Sequence, residues 1–286
     1  MKEIHSDMKN KFDKIIKNAL KEDIRNGDIT TSAAVKNSLY AHGEFLAKQE
    51  GVIAGLDVAG RVFQLVDGKL NFKKFLEDGS RVEPGKFFAE VRGKASSILT
   101  AERTALNFLQ RMSGIATAAN LFSEKIKHTK AKILDTRKTA PGLRLLDKLA
   151  VYDGGGTNHR YGLYDLFLIK DNHITAAGSI TKAVKKCVIY RKKKHLNTKI
   201  EVEAANLNDV EEALSCNADI IMLDNFTLDN MKKAVDLISG KCLIEASGMV
   251  NLENVKEIAE TGVDFISVGY LTHSVKALDI SLNIKL

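Results

Sequence analysis

From residue 131 onward the sequence repeats one unit: a short β-rich run ends in a polar or charged residue and gives way to a helix-forming stretch. The runs are 131–135, 166–170, 200–203, 220–224, 242–245 and 265–269. Glu203 to Asp224 is 21 residues, Asp224 to Glu245 is 21, and Glu245 to Gly269 is 24. Strand and helix alternating at such a period are parallel βα units. Between the runs, 207–216, 228–239 and 252–260 read as helices. Six units after an irregular first stretch predict an incomplete (β/α) TIM-like barrel. An open, doubly wound sheet is the alternative that the spacing leaves standing.

Before residue 115 the texture is mixed α+β. Residues 8–20 form an amphipathic helix with Met8, Phe12, Ile15, Ile16 and Ala19 on one face. Residues 44–49 read as a strand and 56–66 as a helix. Pro84-Gly85 punctuates the entry to a further strand. Residues 96–111 form a helix that Ser97 would cap, with Ile98, Ala101, Ala105, Leu106 and Leu109 on a shared face. An α/β chain of two domains is expected, the first ending at residue 115 and the barrel starting at 116.

The formal charge of +7, from 43 basic and 36 acidic residues, admits either nucleic acid or a pocket for polyanions. The densest basic run, Arg191-Lys192-Lys193-Lys194-His195, has only Tyr190 beside it, whereas nucleic-acid platforms need several aromatic residues. It is read as a solvated helix end, so nucleic acid is not an expected partner. Cys187, Cys216 and Cys242 have neither disulfide nor zinc spacing and are expected to be small buried residues. No apolar run is long enough to cross a bilayer, and no secretory signal is present, so a cytoplasmic address and no membrane partner are expected.

In parallel barrels the catalytic groups gather at the C-terminal ends of the strands. Those ends here carry Asp135, Arg137 and Lys138; Lys170; Glu203; Asp224; Glu245 and Ser247; and Gly269. Arg137, Lys138, Arg160 and Lys170, with His159 beside them, concentrate positive charge. Arginine forks match carboxylates and phosphates, and lysine serves as a mobile point charge. Glu203 and Asp224 suit a divalent metal on a diphosphate, or sugar hydroxyls. Ser247-Gly248 and Gly269 leave backbone amides free for phosphate. Gly154-Gly155-Gly156 lacks both Walker and dinucleotide spacing, so it is read as a close-approach loop presenting His159 and Arg160. The substrate is expected to be phosphorylated and polyanionic.

These residues also carry a resemblance. Asp135-Thr-Arg-Lys-Thr-Ala-Pro-Gly-Leu-Arg144, Gly-Gly-Gly-Thr-Asn-His-Arg160, Gly162-Leu-Tyr-Asp165 and Leu168-Ile-Lys-Asp-Asn-His173 resemble the central signature of quinolinate phosphoribosyltransferases. Glu201-Val-Glu203, Met222-Leu-Asp-Asn225, Glu245-Ala-Ser-Gly248, Ser267-Val-Gly269 and Leu271-Thr-His-Ser274 continue it. Glu22-Asp23, Gly27-Asp28-Ile-Thr-Thr31 and Glu102-Arg-Thr-Ala-Leu-Asn107 extend it to the first half. The resemblance implies conversion of quinolinate and phosphoribosyl pyrophosphate to nicotinate mononucleotide, carbon dioxide and pyrophosphate, with Mg2+, in NAD biosynthesis. It assigns Arg103, Thr136, Arg137, Lys138, His159, Arg160 and Lys170 to carboxylates and phosphates. Glu203 and Asp224 fall to the ribose and the metal, and Ser247, Gly248, Met249 and Gly269 to a phosphate end. Lys138, Lys170, Glu203 and Asp224 are the implied catalytic groups. It further implies a homodimer whose Arg103 enters the neighbouring active site, and a C-terminal segment, 275–286, that rejoins domain 1–115 and leaves the barrel at 116–274.

The sequence departs from the family pattern at Asp153, where a cationic or small residue is frequent, and at Met249, commonly glycine. Two other readings are weighed. One is the homologous molybdenum-operon pyrophosphorylase-like protein, which shares the Asp-Thr-Arg-Lys and triple-glycine motifs. The other is a basic nucleic-acid-binding protein, which rests on charge alone.

Overall fold

Tyr40–Ala47 alternates buried and partly exposed side chains along its length, the mark of a strand with one face on a core. Around it, the computed structural model describes residues 2–36 and 38–286, with side chains from residue 11 onward. In chain order the first elements are α1 (Lys2–Ile24), α2 (Ile29–Ala34), β1 (Tyr40–Ala47), β2 (Gly51–Val52), α3 (Leu56–Val66), β3 (Asn71–Lys74), β4 (Arg81–Val82), β5 (Phe87–Lys94) and α4 (Ala95–Ile126). There follow β6 (Lys132–Leu134), α5 (Arg144–Asp153), β7 (Phe167–Ile169), α6 (Asp171–Ala177), α7 (Ile180–Lys193), β8 (Ile200–Ala204), α8 (Leu207–Ser215) and β9 (Ile220–Asp224). The last are α9 (Leu228–Ile238), β10 (Leu243–Ser247), α10 (Val255–Glu260), β11 (Phe265–Ser267), α11 (Tyr270–His273) and β12 (Ile280–Lys285).

These elements pack as two units. One holds residues up to Asn120, Thr139–Gly155 and Ser274–Leu286; the other holds Leu121–Lys138 and Gly156–His273. In the first unit, β12, β1, β5 and β3 form an antiparallel sheet in that order. Phe45, Phe63, Phe72 and Phe88 meet on its inner face at ring separations of 5.7–6.2 Å. Each fully buried ring contributes about 1.5–3 kcal/mol of apolar transfer. Of the face expected on α1, Ile16 is buried, Phe12, Ile15 and Ala19 are partly covered, and Met8 lies outside the described side chains.

α4 runs through residue 115 without a break. Its expected inner face, Ile98, Ala101, Ala105, Leu106 and Leu109, is buried. Ser97 does not cap it; its hydroxyl donates to Asp67 at 2.8 Å from within the helix. The Ser113-Gly114 pair, which ordinarily favours a break, is held by packing. Ser113 donates to the Ala54 carbonyl at 3.2 Å, and a Cβ at Gly114 would lie 2.2 Å from the Lys276 carbonyl oxygen.

The second unit is the incomplete barrel. Its six strands are parallel and ordered β6-β11-β10-β9-β8-β7. Read around the ring, this is chain order with one seam, between β6 and β7. A doubly wound sheet would reverse direction in the middle, so the ring order excludes that alternative. β8 and β9 are buried almost throughout, as parallel strands covered on both faces should be. Three of the crossover helices start on a side-chain cap, Ser179 for α7, Asn206 for α8 and Thr227 for α9, whereas α10 has none. A cap of this kind is worth about 1 kcal/mol. The three cysteines are only partly covered, contrary to expectation; Cys216 caps the C-terminal end of α8.

Candidate active site

Side chains two apart on a strand point the same way. On β8 this sets Glu201 and Glu203 on one face, and on β10 it sets Glu245 and Ser247 on one face. The outer member of each pair, with its counterparts on the other strands, lines a cavity of about 730 Å³. Thr136, Arg137 and Lys138 enter it after β6, Lys170 after β7, Glu203 from β8 and Asp224 from β9. Ser247, Gly248 and Met249 enter after β10, and Gly269 after β11, with His159 and Arg160 from the loop after the glycines. Every barrel residue that the resemblance assigns to substrate lines this one cavity, whereas Asp135 and Glu245, also read as strand-end groups, do not. Arg103 does not: it lies exposed on α4.

The rim is cationic and already partly paired. Lys170 Nζ donates to Glu203 at 2.5 Å. Burial, and then the neighbouring Arg137 charge, push the Arg160 guanidinium below its usual range. Two guanidinium groups that disfavour each other in a half-buried place are stabilised by a bound anion. Arg160 is anchored by a 3.2 Å bond from Nη1 to the Leu166 carbonyl. Lys138 is held from behind, where Thr272 donates to its carbonyl at 2.9 Å.

The phosphate end has its own geometry. Gly248 sits at φ +98°, and a Cβ there would fall 2.1 Å from Asn225 Oδ1, so glycine is required. Asn225 adopts φ +56°; its amide N–H donates to the Ser247 carbonyl at 2.9 Å, and its side chain donates to Asp224 at 2.8 Å. Met249 is also left-handed, at φ +47°, and lies exposed.

One layer below the rim, Asp135, Glu201 and Glu245 are sealed from solvent. Asp135 accepts the His159 backbone N–H at 2.9 Å and the Asn158 amide at 2.8 Å. His159 Nε2 lies 3.1 Å from Glu201 Oε2 and 3.4 Å from Glu245 Oε2. Ser267 donates to the other Glu245 oxygen at 2.6 Å. Burial works against the imidazolium, yet the two carboxylates outweigh it and push His159 up to about 10. Burial and the Glu245 charge push Glu201 up to about 7. The Arg160 amide also points its N–H at Nδ1 from 2.7 Å, which requires a lone pair there. With that amide bond in place the ring carries a proton on Nε2, facing the two carboxylates.

Among the described residues this trio is the one set of three side chains with metal-ligand atoms within 4.8 Å of one another. Sequence alone does not single out Glu201, although alternation along β8 places it under Glu203. Nor does it single out Asn225, Tyr270 and His273, which line the cavity. Asn225 and His273 stand inside the family motifs, but nothing local gives them a task.

The geometry agrees with the comparisons to known proteins. Residues 28–113 match the family described as "Quinolinate phosphoribosyl transferase, N-terminal domain", and residues 115–283 match its C-terminal domain. A "Nicotinate-nucleotide pyrophosphorylase [carboxylating], chloroplastic" of Arabidopsis thaliana is 48% identical, over 94% of this chain and 82% of its own length. A "Probable nicotinate-nucleotide pyrophosphorylase [carboxylating]" of Bacillus subtilis is 41% identical, over 96% and 93%. The crystal structure of NadC from Streptococcus pyogenes superposes with a TM-score of 0.91 at 40% identity, covering 96% of each chain.

Proposed function

This chain belongs to the quinolinate phosphoribosyl transferase family, and from that premise we propose how its cavity carries out the decarboxylating phosphoribosyl transfer. The chain is a pentosyltransferase of NAD biosynthesis: quinolinate and phosphoribosyl pyrophosphate give nicotinate mononucleotide, carbon dioxide and pyrophosphate. The observation that carries the reading is the single cavity in which Arg137, Lys138, Arg160 and Lys170 face Glu203 and Asp224. Two carboxylates and a phosphorylated sugar need that density of fixed cations, and forked guanidinium groups orient the planar acid.

Departure of pyrophosphate builds positive charge at the anomeric carbon. Glu203 lines the cavity as the carboxylate to face that charge, and preorganised charge of this kind needs no rearrangement during the reaction. The pyridine nitrogen then bonds to the anomeric carbon. Loss of carbon dioxide leaves an electron pair on the ring carbon next to the cationic nitrogen, and a proton from Lys138 or Lys170 completes the product. Positioning thus outweighs acid–base work.

Mg2+ is expected to arrive with the diphosphate. Asp224 faces the cavity beside the Asn225 amide, whereas Glu203 already holds Lys170. An octahedral ion that keeps waters and phosphate oxygens needs one or two carboxylates, and Asp224 fits that need better than Glu203. When bound, the ion would neutralise charge on the leaving group. The same reading makes the enzyme a homodimer in which Arg103 of one protomer completes its partner's site, which accounts for an exposed arginine outside the cavity. A cytoplasmic address belongs to this reading as well. The described residues contain no helix long and apolar enough to cross a membrane.

The test is release of carbon dioxide from quinolinate in the presence of phosphoribosyl pyrophosphate and magnesium. Release should cease when either substrate is omitted, and it should fall at least 100-fold in Arg137→Ala. Pyrophosphate release that does not depend on quinolinate would overturn the reading in favour of the molybdenum-operon relative.

A further inference from the structure

Two fully buried glutamates converge on one histidine under a cationic rim, and stability alone does not call for them. Glu201 and Glu245 are 0% and 1% exposed. Buried charges of this kind cost desolvation, and apolar residues of similar volume would serve a core as well or better. Their contacts instead form a directed chain. Ser267 fixes one oxygen of Glu245 at 2.6 Å, and Glu245 and Glu201 together face His159 Nε2. The opposite ring nitrogen receives the backbone N–H of Arg160 at 2.7 Å. Both ring nitrogens are thereby engaged, although His159 lies at the cavity wall. The backbone N–H of His159 is itself fixed on Asp135.

We propose that Glu201 and Glu245 are positioning residues which, by clamping the His159 ring from below, fix the Arg160 backbone and so aim its guanidinium at the acid substrate. His159 is the keystone of this brace, and the ligand is Arg160. The brace has a second effect in the same direction: the buried negative charge of Glu201 favours the cationic form of Arg160. The layering explains why the carboxylates sit on β8 and β10, directly beneath Glu203 and Ser247. Inward side chains of alternate strands share a level of a barrel, so those two strands meet around one ring. This proposal rests on the reading that the cavity takes quinolinate.

The experiment is a double-mutant cycle. Glu201→Leu keeps the volume and removes the acceptors. It should retain the circular dichroism and thermal midpoint of the wild type, yet lose on the order of 100-fold in kcat/KM, mostly as a rise in the KM for quinolinate. Glu201→Gln, which keeps an acceptor for Nε2–H, should recover most of that loss. In an Arg160→Ala background, Glu201→Leu should cost less than about 3-fold more, because its target is gone. Equal losses in both backgrounds overturn the proposal, as does a fully active Glu201→Leu. Should Glu201→Leu fail to fold, Glu245→Leu and Ser267→Ala enter the same cycle with the same expectation of coupling. A crystal structure of Glu201→Leu, or of Glu245→Leu in its place, tests the brace without turnover. A turned His159 ring and a displaced Arg160 support it, and an unmoved Arg160 overturns it. A wild type that is inactive on quinolinate would overturn the functional reading and leave that crystallographic outcome standing.

Discussion

The chain carries two dense basic regions, and they differ in everything except charge. At the barrel mouth Arg137 and Arg160 are partly buried, mutually unfavourable and shaped around a cavity. At the end of α7, Arg191, Lys192 and Lys193 fill the last helical turn and Lys194 closes it. There Arg191 already bonds the Thr198 carbonyl and Asp219, both at 3.1 Å. Cations at a helix C-terminus complement the helix dipole and need no ligand. Burial without enough local negative charge, rather than the count of basic residues, therefore marks a binding site.

The largest expected effect breaks this comparison directly. Arg160→Ala should lower kcat/KM for quinolinate by roughly 100- to 1,000-fold, the range for losing one preorganised donor. Replacing Lys192, Lys193 and Lys194 together by alanine should leave kcat/KM within about 2-fold, since exposed charges at a distance are screened. Steady-state kinetics at fixed ionic strength reads both. A large loss in the triple variant would end the distinction drawn between the two regions.

How much of this was legible in the sequence follows from the range of the interactions involved. The βα rhythm is local, so β9 emerged at its observed bounds, 220–224, and α3 at 56–66. The choice between barrel and open sheet was not local. It depends on β6 pairing with β11, whose residues are some 130 positions apart, and no periodicity records that. The rim residues were readable because charge at a strand end has no packing explanation. Glu201 was not, because its meaning comes from His159, 42 residues earlier in the chain, and from Glu245 on another strand. The cysteines differ from expectation for a similar reason. Apolar neighbours in sequence do not bury a side chain at the end of a helix, as Cys216 shows.

A third region sharpens the comparison with the opposite sign. Within the first unit, Asp153 stands near Asp78 and Asp57 around a cavity of about 510 Å³ that Arg61 also lines. Burial, then the charges of Asp78 and Asp57, push Asp153 from its ordinary 3.8 up to about 7. An acid whose folded value is raised binds its proton more tightly in the native state. Stability is therefore lost as pH rises from about 4 to 7, and the full penalty applies above 7. Asp153→Asn should accordingly change little at pH 4 and stabilise at pH 8. The gain should be about 1 kcal/mol once solvent screening is allowed for, or about 2–4 °C in thermal midpoint. Melting curves across this range check it; a gain that is the same at both ends would mean the carboxylate charge is not the cause.

The smallest expected effect lies at the phosphate end, where two neighbouring residues share a left-handed backbone for different reasons. Gly248 is crowded: a Cβ would overlap Asn225. Met249 is open, at φ +47° and 83% exposed, so its only cost is conformational, about 1 kcal/mol for a residue with a Cβ. Met249→Gly relieves that strain but loosens the unfolded chain by a comparable amount. The thermal midpoint should then shift by no more than about 2 °C, and kcat/KM should stay within about 2-fold, because the backbone amides keep their places. Gly248→Ala, by contrast, must displace Asn225 and with it the bond to Asp224, and should raise the KM for phosphoribosyl pyrophosphate by 10-fold or more. Comparable kinetic losses in the two variants would show that the Met249 side chain, and not the turn alone, shapes the site.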